Sequence, residues 1–196
     1  MNTATDVALV GTLAAIWLGA GLLADALPDA STARALHRRT RWLISLVAAG
    51  TVTFVAVPVV AGLLAGPSAA PVAALLPAAP AAVVLFGTLR RLHRLHGGAG
   101  AFSAAPLTPA PPGLRAAAAH PLVATPLQVT GLAALVALPI AAGLISVPRP
   151  AVVGMVITVA ALAVLALAVR HALRHSRLSE LGLPVLVPFG RRSGRP

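Results

Sequence analysis

The stretch LISLVAAGTVTFVAVPVVAGLLA, residues 43–65, contains no charged side chain and follows Trp42 and the arginine-rich segment 34–41. A helix needs about 20 predominantly apolar residues to cross a bilayer, so this stretch predicts a transmembrane helix. Four further uncharged apolar stretches have a comparable length, at residues 7–24, 69–89, 121–146 and 150–169. Because one Arg at the centre of a bilayer costs about 2.5–3.5 kcal/mol, five stretches without charge predict five membrane spans.

The composition also indicates that the chain lies in a lipid bilayer. Hydrophobic residues make up 58% of the chain, charged residues make up 10%, and the mean hydropathy is +0.92, whereas soluble domains carry about 25% charged residues. The chain is therefore predicted to be an all-α, polytopic transmembrane helical bundle, a single membrane domain over residues 1–196. The first span is expected to stay uncleaved, because residues 1–6 lack the positive charge that begins a signal peptide.

The distribution of arginine predicts the direction of the spans. If the proline-interrupted stretch 69–89 crosses the membrane, every arginine except Arg149 falls on one side. The positive-inside rule then places the N-terminus outside and the C-terminus in the cytoplasm. The cytoplasmic side holds a proline-rich loop at residues 97–120 and a basic tail at residues 178–196. Arginine in place of every lysine is typical of a GC-rich genome, and the predicted location is a bacterial inner membrane.

A shift of 81 residues lays residues 34–67 over residues 115–148 with 11 identities in 34 positions. The rarer matched residues are Arg34/Arg115, Gly50/Gly131, Pro58/Pro139, Gly62/Gly143 and Pro67/Pro148. A shift of 80 matches Arg90 and Arg94 with Arg170 and Arg174. The pattern predicts one leading helix followed by two hairpins that form a parallel repeat, related by an axis along the membrane normal. The alternative is a coincidence of an Ala-rich composition.

Small residues and prolines predict where helices pack. Gly11, Ala15 and Gly19 recur every four residues and predict a close-packing stripe on the first helix, or a dimer face. Helix-packing roles are also predicted for the matched Pro58 and Pro139, as kinks, and for the matched Gly62 and Gly143. Prolines at equivalent positions in two halves also occur at transporter binding sites, which is the alternative function of this pair.

Several classes of function are excluded by missing residue types. The five stretches hold no ionisable side chain, and the chain has no paired carboxylates or nucleophile–base set, so we predict no catalytic residues and no enzyme. Without cysteine there is no thiolate metal site. The pI of about 12.0 could suggest nucleic acid, but no Tyr and few other aromatic residues are present to stack on bases, so nucleic acid is not an expected partner.

Four histidines are the candidates for a metal or haem site. His93 and His96, like His171 and His175, have the spacing of neighbours on one helix face, and such pairs can bind a metal or haem iron. Arginines surround both pairs and disfavour a bound cation. The favoured interpretation is that these turns are solvated basic extensions that meet anionic lipid headgroups, with no metal and no cofactor; haem is the alternative.

Thr125, Gln128 and Thr130 are the most polar group of residues in any span. They predict interhelical hydrogen bonds or, as the alternative, part of a polar path for a substrate. The first hypothesis for function is a non-enzymatic helical subunit or accessory of a larger membrane complex, with other membrane chains or a second copy as partners. The second is a small oligomeric transporter, and the third is a haem- or quinone-binding redox protein. The apolar residues 181–189 are too short to span and are expected to lie at the interface or on a partner.

Overall fold

The computed structural model describes residues 3–64, 66–105, 107–145 and 150–181, with the side chains of the last range described from residue 163 to residue 180. These residues form helices and no strand. The helices are α1 (Thr3–Asp25), α2 (Ala33–Leu63), α3 (Ala70–Val83), α4 (Leu89–Ala101), α5 (Pro112–Ala118), α6 (Pro121–Val136), α7 (Leu138–Ala141) and α8 (Pro150–Leu181). A 3₁₀ turn, Leu27–Asp29, follows α1, and a π-helical turn, Val84–Thr88, joins α3 to α4.

Four helical segments are long and apolar enough to cross a membrane: Thr3–Asp25, Ala33–Leu63, Ala70–Ala101 and Pro112–Ala141. Helix α8 covers the fifth predicted span, residues 150–169, and continues beyond it. The prediction of an all-α bundle of apolar, span-length helices is therefore confirmed. The helices are longer than the uncharged stretches because α2, α4 and α8 continue into the arginine-rich segments at the same end of the bundle, which we call the basic end.

Local sequence explains where several helices begin. The Thr32 hydroxyl caps α2 by accepting a hydrogen bond from the backbone N–H of Ala35 at 3.2 Å. His120 caps α6 in the same way, since its Nδ1 accepts from the N–H of Leu122 at 3.1 Å, and Pro121 occupies the first turn, where a missing N–H costs nothing. This cap at His120 separates α5 from α6.

The leading helix packs on both hairpins. Helix α1 packs most extensively on α6 and next on α2, while α6 also contacts α3 and α8. Trp17 lies at the centre of this packing with 1% of its surface exposed, among buried residues that include Leu13, Val47 and Leu127. Two helices of matched sequence, α2 and α6, thus both pack on one helix that has no match.

Three glycines set how closely the helices approach α1. A Cβ on Gly131 would lie 2.8 Å from the backbone nitrogen of Leu18, and a Cβ on Gly21 would lie 3.1 Å from the Cα of Gln128. A Cβ on Gly50 would lie 2.8 Å from the Trp17 ring. The backbones of α1 and α6 are therefore close enough to require glycine on both helices, as in other close-packed membrane helices.

Prolines interrupt α3 without ending it. Pro77 and Pro80 lie inside α3, and the π-helical turn follows directly, where the ladder of backbone hydrogen bonds changes its spacing. In this turn the hydroxyl of Thr88 donates to the carbonyl of Leu122 at 2.7 Å. That carbonyl lacks its usual helical donor because residue 126 is proline. The turn therefore joins α3 to α6 by satisfying a carbonyl that Pro126 leaves free.

The matched prolines adopt different settings. Pro58 lies inside α2, which continues to Leu63. Pro139 instead follows a break at Ala137 and lies in the four-residue α7, which Gly143 ends with a φ of +68°. The N–H groups of Gly143 and Leu144 donate to the carbonyls of Ile140 and Pro139 at 3.0 and 2.9 Å, a complete Schellman cap. The repeat stays a prediction, and similar bending at its two prolines is not observed.

The predicted proline-rich loop at residues 97–120 contains helix at both ends. Helix α4 continues to Ala101, and α5 occupies Pro112–Ala118. Between them the backbone pairs with residues at and just before the start of α2: the N–H of Ala33 donates to the carbonyl of Thr108 at 3.0 Å, and the N–H of Ala110 donates to the carbonyl of Ser31 at 2.9 Å. The described part of this segment is therefore packed along the basic end of the bundle.

Candidate functional site

The basic end contains a cluster of charged and polar side chains from α1, the 3₁₀ turn that follows it, α6 and α8. The Asp25 carboxylate accepts from Arg170 at 2.8 Å and from Arg174 at 3.1 Å, and Arg174 also donates to Asp29 at 2.7 Å. Arg174 reaches the backbone carbonyl of Asp25 as well, at 2.8 Å. We call Asp25, Asp29, Gln128, Arg170, His171 and Arg174 the Asp25 cluster.

His171 is the buried member of the Asp25 cluster, with 1% of its surface exposed. It lies two residues beyond the apolar stretch 150–169, and its Nε2–H donates to Oε1 of Gln128 at 2.9 Å. Burial lowers the pKa of His171, the Asp25 carboxylate acts in the opposite direction, and the charges of Arg170 and Arg174 add to the lowering. The neutral imidazole therefore joins α8 to α6, while the two arginines join α8 to α1.

The four candidate histidines have separate partners. His96 stacks on His37 with ring centroids 3.9 Å apart, and the Nδ1–H of His37 donates to the carbonyl of His96 at 3.0 Å. The Nδ1–H of His93 donates to Leu89 within its own helix at 2.9 Å, and that of His175 donates to Ala116 at 2.7 Å. Within the described ranges, no group of three or more His, Cys, Asp or Glu side chains is placed to hold a metal ion.

Thr125, Gln128 and Thr130 point to different surroundings. Gln128 bonds to His171, and the hydroxyl of the buried Thr130 donates to the Pro126 carbonyl at 2.7 Å. Thr125 lines a groove of about 300 Å³ between α3, α6 and α8. The structure therefore places these three residues on one helix but brings none of their polar atoms together.

The small residues predicted to pack α1 make few contacts among the described residues. Ala15 is exposed, no described atom lies within 4 Å of a Cβ built on Gly19, and the half-buried Gly11 meets the side chain of Leu138 at 3.8 Å. Gly62 and Gly143 are also exposed and meet no atom within 4 Å among the described residues. A packing role for these glycines between chains stays a prediction.

Helix α8 presents an exposed apolar stripe. Leu165, Val169 and Leu173 are spaced four residues apart and are 60%, 49% and 56% exposed. With Arg170, Arg174 and Arg177 they line a broad, open concavity with a volume of about 830 Å³. We call Leu165, Val169 and Leu173 the α8 stripe.

Sequence reasoning missed two sets of residues that the structure brings together. Asp25 and Asp29 were noticed only as acidic residues outside the spans, and no local pattern connects them with arginines in α8. Gly50 and Gly131 gave a signal, since they are matched glycines in the predicted repeat, and both contact α1. Comparisons of the chain with models of protein families, with curated proteins and with solved structures found no match.

Proposed function

We propose that this chain is a non-enzymatic, multi-pass protein of a bacterial inner membrane that serves as a helical subunit of a larger membrane complex. The arginine distribution supports an orientation with the N-terminus outside and the basic end in the cytoplasm. The α8 stripe is the proposed contact surface, and the proposed partner is a transmembrane helix of another chain.

The observation that carries this proposal is the exposure of Leu173. Leu165 and Val169 lie within the apolar stretch 150–169, where lipid tails can cover them. Leu173 continues the same helix face by one turn, about 6 Å further along the axis, and lies among three arginines. Lipid tails do not cover a leucine at the level of charged headgroups, so an apolar surface from a protein is the more suitable cover.

The exposed charge of α8 indicates which charged residue a partner helix would carry. Asp25 and Asp29 pair with Arg170 and Arg174, whereas Arg177 is exposed on the same side of α8, beyond the stripe. A partner helix with an apolar face and an acidic residue at its cytoplasmic end complements both features. The transporter alternative has less support, because Gln128 and Thr130 already make hydrogen bonds inside the bundle and do not line a shared path.

The experiment places a photo-crosslinking amino acid at residue 173 of the full chain in native membranes. We expect a product of fixed mass whose crosslinked peptide comes from another membrane protein and contains an acidic residue. Leu173→Ala should reduce co-migration with that protein in mild detergent, and Arg177→Gln should reduce it less. Leu22 of α1, which is 72% exposed, is the matched control position and should give no such product.

Two results would contradict the proposal. A product within the chain that disappears when residues 182–196 are deleted would assign the α8 stripe to the chain's own tail. Crosslinks to lipid alone from both residue 173 and residue 22 would show that the stripe has no protein partner.

A further inference from the structure

Two histidines from different helices are stacked at the basic end, outside the apolar stretches. The rings of His37 in α2 and His96 in α4 have centroids 3.9 Å apart and an interplanar angle of 21°. The Nδ1–H of His37 also donates to the backbone carbonyl of His96 at 3.0 Å. A Cβ on Gly100, one turn further along α4, would lie 3.3 Å from the His37 ring, so α4 covers this ring closely. The pair is therefore a direct contact between the outgoing and returning helices of the first hairpin.

The stack depends on the protonation state of His96. The Nδ1 of this ring is buried and has no hydrogen-bond partner among the described residues. A neutral ring can keep its proton on Nε2 and leave Nδ1 unprotonated, whereas a protonated ring carries a proton on both nitrogens. Protonation would therefore place a buried donor where no acceptor is found, which costs more than an ordinary hydrogen bond contributes. It would also place a positive charge against the ring of His37.

The charges that act on His96 all oppose its protonation. Burial lowers the pKa of His96, and the positive charges of His37, His93 and Arg41 add to the lowering, while a backbone group of His37 acts in the opposite direction. No carboxylate of the described residues is among the charges that act on this ring. Helix α5 also packs on α4, but its Arg115 donates to a backbone carbonyl of the 3₁₀ turn at 3.0 Å. The neutral ring is thus the form that fits the closed contact.

We propose that the His37–His96 stack is a pH-sensitive latch between α2 and α4. The latch is closed while His96 is neutral, and protonation of His96 separates the two helices at the basic end. Nearby buried residues of these helices, such as Leu36, Leu92 and Leu95, are apolar and bind no proton, so the opening is confined to the stacked pair and the turns around it. The latch lies in the first hairpin, and the proposal does not depend on the α8 stripe.

Two other histidines have a lowered pKa but are less suited to act as a latch. The Nδ1 of His171 lies 4.0 Å from the carboxylate of Asp25, which can pair with a protonated ring. The bond that His120 accepts from Leu122 is exposed, so water can replace it. His96 combines a buried Nδ1 with a stacked ring and has no carboxylate beside it, so its protonation has the largest effect on packing.

The test measures the separation of α2 and α4 as a function of pH. The chain contains no cysteine, so Arg34→Cys and Gly97→Cys supply the only two sites for spin labels, and both positions are exposed. Double electron–electron resonance is recorded on the full chain in lipid nanodiscs between about pH 8 and about pH 5. We expect the distance between the labels to lengthen by about 3 Å or more, the diameter of a water molecule that enters between the helices. The midpoint should lie below pH 6.5, the ordinary pKa of histidine.

Two pairs of variants assign the opening to His96. His96→Phe keeps a flat ring and the backbone carbonyl that His37 binds, but it takes up no proton, so it should stay closed at every pH. His93→Phe, at an exposed histidine that bonds within its own helix, is the matched control and should still open. Arg41→Gln removes a positive charge that acts on His96 and should raise the midpoint pH, whereas the exposed Arg38→Gln should not. A stack with a structural role alone would show no shift of the midpoint.

Thermal unfolding provides an independent measurement. The pKa of His96 in the folded chain is lowered from its ordinary value of 6.5, so the stability that its neutral form contributes is fully present above pH 6.5 and is lost as the pH falls through 6.5 towards the lowered pKa. We expect Tm to fall between about pH 8 and about pH 5, and the fall should be smaller by roughly 2–4 °C in His96→Phe. An unchanged distance down to about pH 5, the same opening in His96→Phe, or the same midpoint in Arg41→Gln would overturn the proposal.

Discussion

Helices α2 and α6 begin the two hairpins of the predicted repeat, and both pack on α1, but they meet it through contacts of different kinds. Gly50 of α2 faces the side chain of Trp17, whereas Gly131 of α6 faces the backbone of Leu18. The matched glycines thus contact adjacent residues of α1, at nearly the same depth and from helices that run in the same direction. This agreement supports the repeat more directly than the count of identities does.

The two matched glycines therefore have different roles. A side chain can move or be replaced, so the position of α2 depends on which residue occupies position 17. The backbone of Leu18 cannot move without moving α1, so the position of α6 depends on glycine alone. The matched glycines Gly50 and Gly131 therefore allow α2 and α6 to approach α1 to different distances.

The largest effect is expected for Gly131→Leu. Its side chain would overlap the backbone of α1, so we expect a loss of about 3 kcal/mol or more, which corresponds to a fall in Tm of roughly 6–12 °C for a chain of this size. Thermal unfolding in mild detergent measures this. Gly62→Leu is the matched control, since this glycine is exposed and has no described atom within 4 Å of an added Cβ, and it should leave Tm within about 2 °C.

A rescue experiment distinguishes a side-chain contact at Gly50 from a backbone contact at Gly131. Gly50→Ala should also lower Tm, but Trp17→Leu should restore part of the loss, since it removes the ring atoms that the new methyl group meets. Leu18→Ala should not rescue Gly131→Ala, because the backbone contact remains. Equal rescue at both sites would mean that α2 and α6 approach α1 in the same way.

The returning helices of the two hairpins also differ. Arg170 and Arg174 bind Asp25 and Asp29, whereas the matched Arg90 and Arg94 are exposed and have no ion-pair partner among the described residues. The leading helix supplies carboxylates to one hairpin only. The first hairpin instead joins its two helices through His37 and His96.

An intermediate effect is expected for Arg174→Gln, which loses the ion pairs with Asp25 and Asp29. After allowance for partial exposure, we expect a loss of about 1–2 kcal/mol, or roughly 2–8 °C in Tm. Arg94→Gln is the matched control and should change Tm by no more than about 1 °C. The measurement is repeated at high salt, which should reduce the difference. Similar losses for both variants would contradict a special role for the Asp25 cluster.

The smallest effect is expected at the ends of the hairpins. Gly143 adopts a positive φ in the Schellman cap of α7, so Gly143→Ala should cost about 1 kcal/mol. The matched Gly62 is helical, and Gly62→Ala should be neutral or slightly stabilising, because alanine favours helix over glycine. Chemical unfolding of both variants checks this difference. A loss of the same size at both positions would mean that the two ends share one conformation.

The sequence was sufficient to predict the helices, because charged side chains are excluded from membrane spans however the helices pack. It did not reveal which face of α1 is buried, since α1 is apolar all around and a membrane removes the contrast between faces. The stripe of Gly11, Ala15 and Gly19 therefore had the same appearance whether it faced lipid or a helix. Trp17 and Leu13 occupy the buried face instead.

The candidate site was less accessible to sequence reasoning. Arginines in α8 were identified as topology signals, and the histidines as candidate ligands, because both interpretations use spacing within one helix. Their actual partners come from other helices, as with His171 and Gln128, which are 43 residues apart. The repeat was the one long-range signal in the sequence, and it indicated Gly50 and Gly131 as equivalent without indicating what they contact.

The Asp25 cluster joins residues that are far apart in the sequence, and this separation affects the order in which contacts form during synthesis. Arg174 bonds to Asp25 across 149 residues of chain, and synthesis proceeds from the N-terminus, so α1 enters the membrane long before its charged partners exist. The contact between Trp17 and Gly50 forms early, the contact with Gly131 forms later, and the ion pairs form last. A nascent chain that stops before residue 170 can join α1 to α2 and α6 but contains neither arginine that pairs with Asp25. Completion of α8 is thus the step that locks the leading helix in place.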